Sequence, residues 1–421
     1  MRNDIRNVAS GEQEKGGNTL KGYNHTRFNN DYRYTNMVRE AAFYYDNMRG
    51  LRDKWRRDID YYMGRQLSDT GVYNGRTMTV HDYMELKGMA ALSNDIISDK
   101  MITMKGVVRQ QYMSPTIKSV DAGESAYANL FNEMLRQNDN NNDKSEHCAD
   151  QFEGHISLGF ICDKVKWAFR QGREDVFIDA VDPFKLAVPV WEKKDLSDVE
   201  FIAEAHDLTW PQLLKQFFRE PGDEVKISQI YTAAIQNQPI QGRNDTGMNQ
   251  KDTTDGFLYP DTYGKYRYLE IWTKEYNYAL WCHDRLNATA GFRPLSDQGA
   301  IDAENEQRKK GNIVVDENGA PMLDEAGNVQ YYVDPSELQL IEYTKQIDEL
   351  WYYRCLSPNG YLLDEGLSPY KVLRDGFSFY YHPYVFLAYG FLNEVRSFED
   401  RLIDKQRQFN HDCIMTDFIL M

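Results

Sequence analysis

The sequence predicts an α+β chain in which helices and strands occupy successive stretches instead of alternating. Three observations carry that expectation. From about Tyr32, apolar and aromatic residues recur three and four apart. Past Ile161 the period changes to strict alternation on both sides of Gln171-Gly172. From Arg396 the helical period returns and continues to Met421.

Residues 1–30 are rich in Gly, Asn and charge and read as a flexible arm. A first helix follows, with Val38, Ala42, Tyr45, Met48, Leu51, Trp55 and Ile59 on one face and Gly64 as its stop. A second is expected over "TVHDYMELKGMAALSNDIISDKMITMKGVV", to about Met104. A third covers "AGESAYANLFNEMLRQN" and ends in the Asn/Asp run 138–143, and a fourth begins near Lys144. In "ICDKVKWAFRQGREDVFIDAVDP" the alternation of Ile161, Val165, Trp167 and Phe169, then Val176, Ile178 and Ala180, signals a β-hairpin. Next come a strand at Phe201–Ala205 and a helix capped by Thr209 with Pro211 in its first turn. Residues 235–262 are a polar linker, and Tyr266, Tyr268 and Ile271 restore strand alternation. Between Asp297 and Glu349 stand 13 acidic residues against 4 basic ones, a net of −9 (4 − 13). That region holds a helix over "QGAIDAENEQRKKG" and leads into a hairpin through Pro358-Asn359-Gly360.

Composition narrows the function. The net charge is −16, and a protein that grips nucleic acid by its phosphates carries the opposite sign or a dense basic patch. An acidic surface past which DNA slides is compatible with that charge. The 29 Tyr, 20 Phe and 7 Trp suit large, partly wet interfaces, although plain compositional bias accounts for them equally well. The cysteines, Cys148, Cys162, Cys282, Cys355 and Cys413, form no CxxC pair, so no zinc knuckle or disulfide framework is expected. The longest apolar run, Tyr384–Leu392, is about half of what a membrane span needs.

Catalytic chemistry has little foothold. His147, Cys148 and His155 lie along one helix without a third ligand, and His283-Asp284 has no nucleophile beside it. Asp182 with Glu224 and Lys226 loosely matches a metal-dependent nuclease, but "PGDEVKISQIYTAAI" reads as a turn entering a helix where that chemistry needs a strand. No phosphate-binding glycine loop and no nucleophile elbow is present. No catalytic residue, metal site or cofactor is therefore expected.

Several segments in order carry a family resemblance. "IDYYMGRQLSD", the Asn-Asp-Ile-Ile-Ser helix and "MKGVVRQQYMSPTI" are followed by "QFEGHISLGFICDKVKW" and "EDVFIDAVDPFKLAVP". After these come "DVEFIAEAHDLTWPQLLKQF", "YLEIWTKE" and "EVRSFEDRLIDKQRQFNHD", the last with Asp404, Gln406 and Asn410. Together they resemble bacteriophage portal proteins over residues 55–421, with a lean to short-tailed phages of the crAss-like group. The resemblance implies a portal-like α+β fold. The wing with the start of the stem would span 31–295, a small acidic α/β clip 296–372, and a second stem or wing helix region 373–421. The family's further wing helices and crown would lie beyond Met421.

It also implies a homo-oligomeric ring, typically of twelve copies, at one capsid vertex. The implied partners are the major capsid protein, the terminase large subunit, head–tail adaptor and tail proteins, and double-stranded DNA passing without sequence-specific binding. Assembly would occur in the host cytoplasm. An acidic virion scaffold or adaptor without a DNA channel is the competing expectation. Within a ring, Gln406, Asn410, Phe398 and Leu402 are candidate inter-subunit contacts, because Lys405 and Gln406 interrupt the apolar stripe of Val395, Phe398, Leu402, Phe409 and Cys413. Asp316, Glu317, Asp324 and Glu325 are candidate clip or channel residues.

Overall fold

A computed structural model describes residues 27–68, 70–73, 75–89, 95–119, 122–170, 172–236, 254–260, 264–287, 289–314, 321–322, 329–333, 338–374, 377–391 and 394–420. The chain folds as two compact units. The larger comprises Asn30–Ile271, Leu356–Tyr361 and Pro383–Met421; the smaller comprises Trp272–Cys355 and Leu362–His382 with the segment before Asn30.

In the larger unit the first expected helix is two, α1 (Tyr32–Asn47) and α2 (Arg49–Tyr62), with the chain turning at Met48. Gly64, at φ +72°, ends this stretch as expected. The expected helix to Met104 is also divided, and a short hairpin precedes it: β1 (Thr70–Tyr73) pairs with β2 (Arg76–Thr79) around Gly75, at φ +76°. The Thr79 hydroxyl then accepts from Asp82 N (3.1 Å) to open α3 (Val80–Leu86). Gly88, in the left-handed region at φ +70°, stops it, and the Asp95 carboxylate accepts from Ser98 N (3.0 Å) to start α4 (Ile96–Gln110). A propensity count misses this break because glycine and a cap residue act through backbone geometry, not hydrophobic period.

Helices α5 (Ser125–Asn141) and α6 (Lys144–Leu158) meet at Asp143, whose φ is +46°. The asparagine run does more than end α5. Asn138 and Asn142 Nδ2 both donate to Val176 O (3.0 Å each), and Ile178 N donates to Asn142 Oδ1 (3.3 Å). The amides thereby cover the outer edge of the sheet that follows. Gly159 closes α6 at φ +69°, where a Cβ would lie 2.8 Å from Arg396 O.

The alternating stretch is the hairpin of β3 (Phe160–Arg170) and β4 (Arg173–Ala180), with Val165 opposite Ile178 and Trp167 opposite Val176. Beyond it lie β5 (Leu186–Ala187) and β6 (Phe201–Thr209), which pair. The helix α7 (Trp210–Phe217) starts with Thr209 N donating to Gln212 Oε1 (2.9 Å) and Pro211 in the first turn. Then come α8 (Asp223–Gln236), α9 (Thr254–Leu258) and β7 (Lys265–Asp284), whose first residues pair with β6.

The smaller unit takes over within β7. It adds β8 (Thr289–Pro294), α10 (Gln298–Gly311), β9 (Ile341–Leu356) and β10 (Leu362–Leu367), with strand order β10-β9-β7 and β8 also on β7. The short hairpin β11 (Lys371–Arg374) and β12 (Phe377–Tyr380) follows. Gly360, at φ +80°, makes the expected turn between β9 and β10. Ile301 of α10 packs with Leu280 and Cys282 of β7 and with Ile341. Arg308 clamps Asp284 through two bonds of 2.8 and 2.6 Å. The acidic segment therefore shares a core with the end of β7. Both belong to the smaller unit, which begins at Trp272.

The last stretch returns to the larger unit. There β13 (Tyr384–Ala388) pairs with β3, placing Tyr384 opposite Lys164, and the sheet order is β13-β3-β4. A small hairpin of β14 (Gly390–Phe391) and β15 (Glu394–Val395) leads into α11 (Asp400–Leu420). Tyr61, Ile97, Met101, Ile156 and Ile403 form a buried cluster that joins α2, α4, α6 and α11.

Candidate functional site

A buried polar centre occupies the larger unit. On β6, Glu204 and His206 are two residues apart and share a face; β7 contributes Glu270, and β3 contributes Lys164. The Lys164 ammonium donates to Glu204 Oε2 and Glu270 Oε2 (2.8 Å each) and to the Tyr384 hydroxyl (3.1 Å). The Tyr384 hydroxyl in turn donates to Glu204 Oε2 (2.7 Å). His206 Nε2 lies 3.2 Å from Glu204 and 3.1 Å from Glu270 and is stacked on Tyr268. Burial lowers the Lys164 pKa, but the two carboxylates more than offset it and hold the group above the ordinary lysine value. The same cations offset burial at the acids, holding Glu204 down to about 2 and Glu270 lower still. His206 is raised by its two carboxylates despite burial.

By residue type and spacing, Glu204, His206 and Glu270 could ligate a metal ion. The Lys164 ammonium, donating to both carboxylates, already supplies a cation there. A lysine held protonated is neither nucleophile nor base, so the arrangement acts as an electrostatic clamp. One rung away, Arg267 grips Asp207 through bonds of 2.7 and 2.8 Å and donates to Phe257 O (2.9 Å). Two buried ion-pair systems thus tie β6 to β7.

A second polar feature lies along α11. Its buried stripe is Ile403, Gln406, Asn410 and Ile414, while Phe409 remains 38% exposed. Gln406 accepts from Ile96 N (3.2 Å) at the start of α4 and donates to Asn410 Oδ1 (2.9 Å); Asn410 donates to Gln66 Oε1 (2.5 Å). Phe398 and Leu402 pack on the cluster around Tyr61 and Met101. Within the chain these residues help to set the register of α11 against α4 and the segment around Gln66. Asn410→Ala is expected to cost about 1–3 kcal/mol, since it leaves Gln66 and Gln406 short of a partner in a buried place. Equilibrium urea unfolding checks this.

Just before α11, Glu399 is fully buried and neither carboxylate oxygen has a hydrogen-bond partner. Burial, then the charges of Asp58, Asp95 and Asp400, push its pKa up to about 9, against which Arg57 acts weakly. Asp400 and Asp58 are themselves engaged, both by Arg57 and by Ser397.

The profile of the family described as "Phage P22-like portal protein" matches residues 40–416, nearly the whole chain. The chain belongs to the P22-like portal family. No curated protein matches it. The match supports a short-tailed phage portal and does not extend to the crAss-like grouping. The portal protein is thus a structural component of the bacteriophage virion, a head–tail connector of DNA packaging with an α+β fold. Among the described residues, no helix is long and apolar enough to cross a membrane.

The remaining sequence candidates make local contacts of their own or lie outside the described residues. In the portal protein, Asp182 accepts from Phe184 N (3.0 Å) to cap a short turn, while Glu224 and Lys226 stand on α8. His147 bonds Asp163 (3.1 Å), and half-buried His155 packs edge-on against Tyr389, where burial lowers its pKa. Asp316, Glu317, Asp324 and Glu325 lie outside the described residues. Sequence reasoning missed Lys164, Glu204, Glu270 and Glu399. One signal was available: Lys164 follows Phe160 and Cys162 at alternate positions of β3, and Glu204 stands among Phe201, Ile202, Ala203 and Ala205 of β6, where a buried charge requires a partner.

Proposed function

We propose that copies of this portal protein close into a ring at one capsid vertex. DNA enters and leaves through its centre, and the terminase large subunit and tail adaptors dock on it in turn. The family match over residues 40–416 carries this reading. The net charge of −16 supports it, because a polyanion passes an acidic wall without being held. The polar centre fits the same role: a subunit that bears load between motor and capsid benefits from strands locked by buried ion pairs, with no bond chemistry to perform.

Mass photometry and negative-stain imaging of the purified chain test the ring. A closed annulus of about twelve copies, in keeping with the cyclic symmetry of such oligomers, is the expected result. A monomer at every concentration overturns it and favours the channel-less scaffold. Within this reading, Asp316, Glu317, Asp324 and Glu325 are the candidate clip or channel residues. Neutralising all four is expected to slow DNA uptake in a packaging assay while rings still assemble. Unchanged uptake would show those carboxylates to be an ordinary solvated face.

A further inference from the structure

Five acidic side chains are buried among the described residues: Asp58, Glu204, Asp223, Asp284 and Glu399. The fold gives four of them donors. Arg57 and Ser397 bond Asp58, Lys164 and Tyr384 bond Glu204, Arg308 bonds Asp284, and the Arg219 and Glu220 N–H groups donate to Asp223. Glu399 is the exception: it is 0% exposed, and neither of its oxygens has a donor. Its backbone is fixed as well, because Phe398 N and Glu399 N both donate to Ile156 O (2.9 and 3.3 Å). A buried carboxyl in this position calls for a counter-charge and for something to occupy its lone pairs.

The surroundings of Glu399 are acidic. Asp58, Asp95 and Asp400 are the charges that act on it most strongly, with Arg57 opposing them. Four acids against one guanidinium leave a net of −3 (1 − 4). Asp58 and Asp400 are both turned to Arg57 and Ser397. At Asp95, Oδ1 accepts from Ser98 N (3.0 Å) and Gln66 Nε2 (3.4 Å), which leaves Oδ2 over; that oxygen lies beside Gly64, 3.3 Å from where a Cβ would stand. The Asp400 side chain is 24% exposed, so the cluster reaches solvent.

A proton on Glu399 removes the charge but leaves a hydroxyl and a carbonyl buried without partners. A trapped water supplies hydrogen bonds but no counter-charge. A cation supplies both, and an all-oxygen set selects a hard one, calcium or magnesium. Calcium accepts irregular carboxylate geometry, whereas magnesium demands an octahedron and keeps several waters, which suits a fully buried carboxyl less well. We infer that Glu399 and the spare oxygen of Asp95 bind a calcium ion that ties the start of α11 to the start of α4. Asp58 and Asp400 add negative charge beside it. No third carboxylate stands close enough to close the set, so water or neutral oxygens complete the shell. The site does not depend on the ring.

The test uses the full chain, stripped of metal with a chelator and titrated with calcium chloride, by calorimetry and by melting. The wild type should bind one calcium per chain and melt about 5 °C higher or more at roughly a hundredfold excess over the dissociation constant. Glu399→Gln should show neither effect. In chelator that variant should melt no lower than the wild type, so a failure to fold does not account for its loss of binding. Asp95→Asn should weaken binding about tenfold or more while still capping α4, because asparagine is as good an N-cap as aspartate. No heat and no rise in melting with the wild type overturn the inference. Equal calcium binding by the wild type and Glu399→Gln overturns it too, since the ion would then sit on surface carboxylates of this acidic chain. Magnesium bound more tightly than calcium overturns the assignment of the ion.

Discussion

Lys164→Met is expected to destabilise the larger unit by about 3–5 kcal/mol, the usual effect of removing one partner from a buried ion pair. Methionine reproduces the length of the lysine stem, so packing changes little and the loss is electrostatic. Glu204 and Glu270 would each lose a 2.8 Å donor, with His206 still shared between them and the Tyr384 hydroxyl still on Glu204. Adding Glu204→Gln and Glu270→Gln to the same chain should recover much of the stability, because neutral side chains of similar shape need no counter-charge. Urea unfolding of the three proteins decides it. A Lys164→Met variant within about 1 kcal/mol of wild type would reduce the centre to the weight of a surface pair.

The pH dependence of that centre has two signs. Glu204 and Glu270 have depressed pKa values, so their contribution is present above the ordinary carboxylate value of 4.5 and is lost as pH falls towards 2. His206 is raised, so its contribution is complete below its ordinary value of 6.5 and is lost as pH rises through the elevated one. The wild type should therefore gain most from the centre between those limits, and the neutral triple variant should lose this profile.

Glu399→Gln is expected to stabilise the protein, by about 3 kcal/mol near pH 7. In the fold the carboxyl is buried without a partner and faces Asp58, Asp95 and Asp400, with Arg57 the opposing charge; its pKa is about 9 against an ordinary 4.5. Below the ordinary value both folded and unfolded chains are protonated, and the group has no cost. Between the two values the unfolded chain ionises and the folded one does not, so stability falls by about 1.4 kcal/mol per pH unit. Glutamine keeps the shape and removes the titration, and the surrounding carboxylates can accept from its amide. Melting curves should show no gain at acid pH and a gain that widens on the alkaline side. Parallel pH slopes for variant and wild type would mean that Glu399 is already ionised in the fold.

Local signals in the sequence proved dependable. The β3–β4 hairpin, the Thr209 cap with Pro211 and the Gly360 turn are each set by residues within a few positions of one another. The break between α3 and α4 was harder to see, because Gly88 and Asp95 interrupt a continuous apolar period without altering it. On α11 the apolar pattern pointed to Phe409 and Cys413, with Gln406 as a flaw in the stripe. The fold instead buries Gln406 and Asn410 and leaves Phe409 outward. Their partners, Ile96 and Gln66, stand 310 and 344 positions away, so no window along the chain could register them.

The sequence by itself determined the α+β character, the order of the segments, the acidic charge and membership of the portal family. The first three follow from local period, turn chemistry and composition, and the last from the ordered segments that the family profile matches over residues 40–416. Only the tertiary structure decided which charges share a neighbour. Lys164 meets Glu204 from 40 residues away and Glu270 from 106, while Glu399 meets acids and no hydrogen-bond donor. The same ionisable side chain is held charged in one place and neutral in the other. Its ionisation depends on burial and on distances to other charges, and neither is defined until the strands and helices have packed.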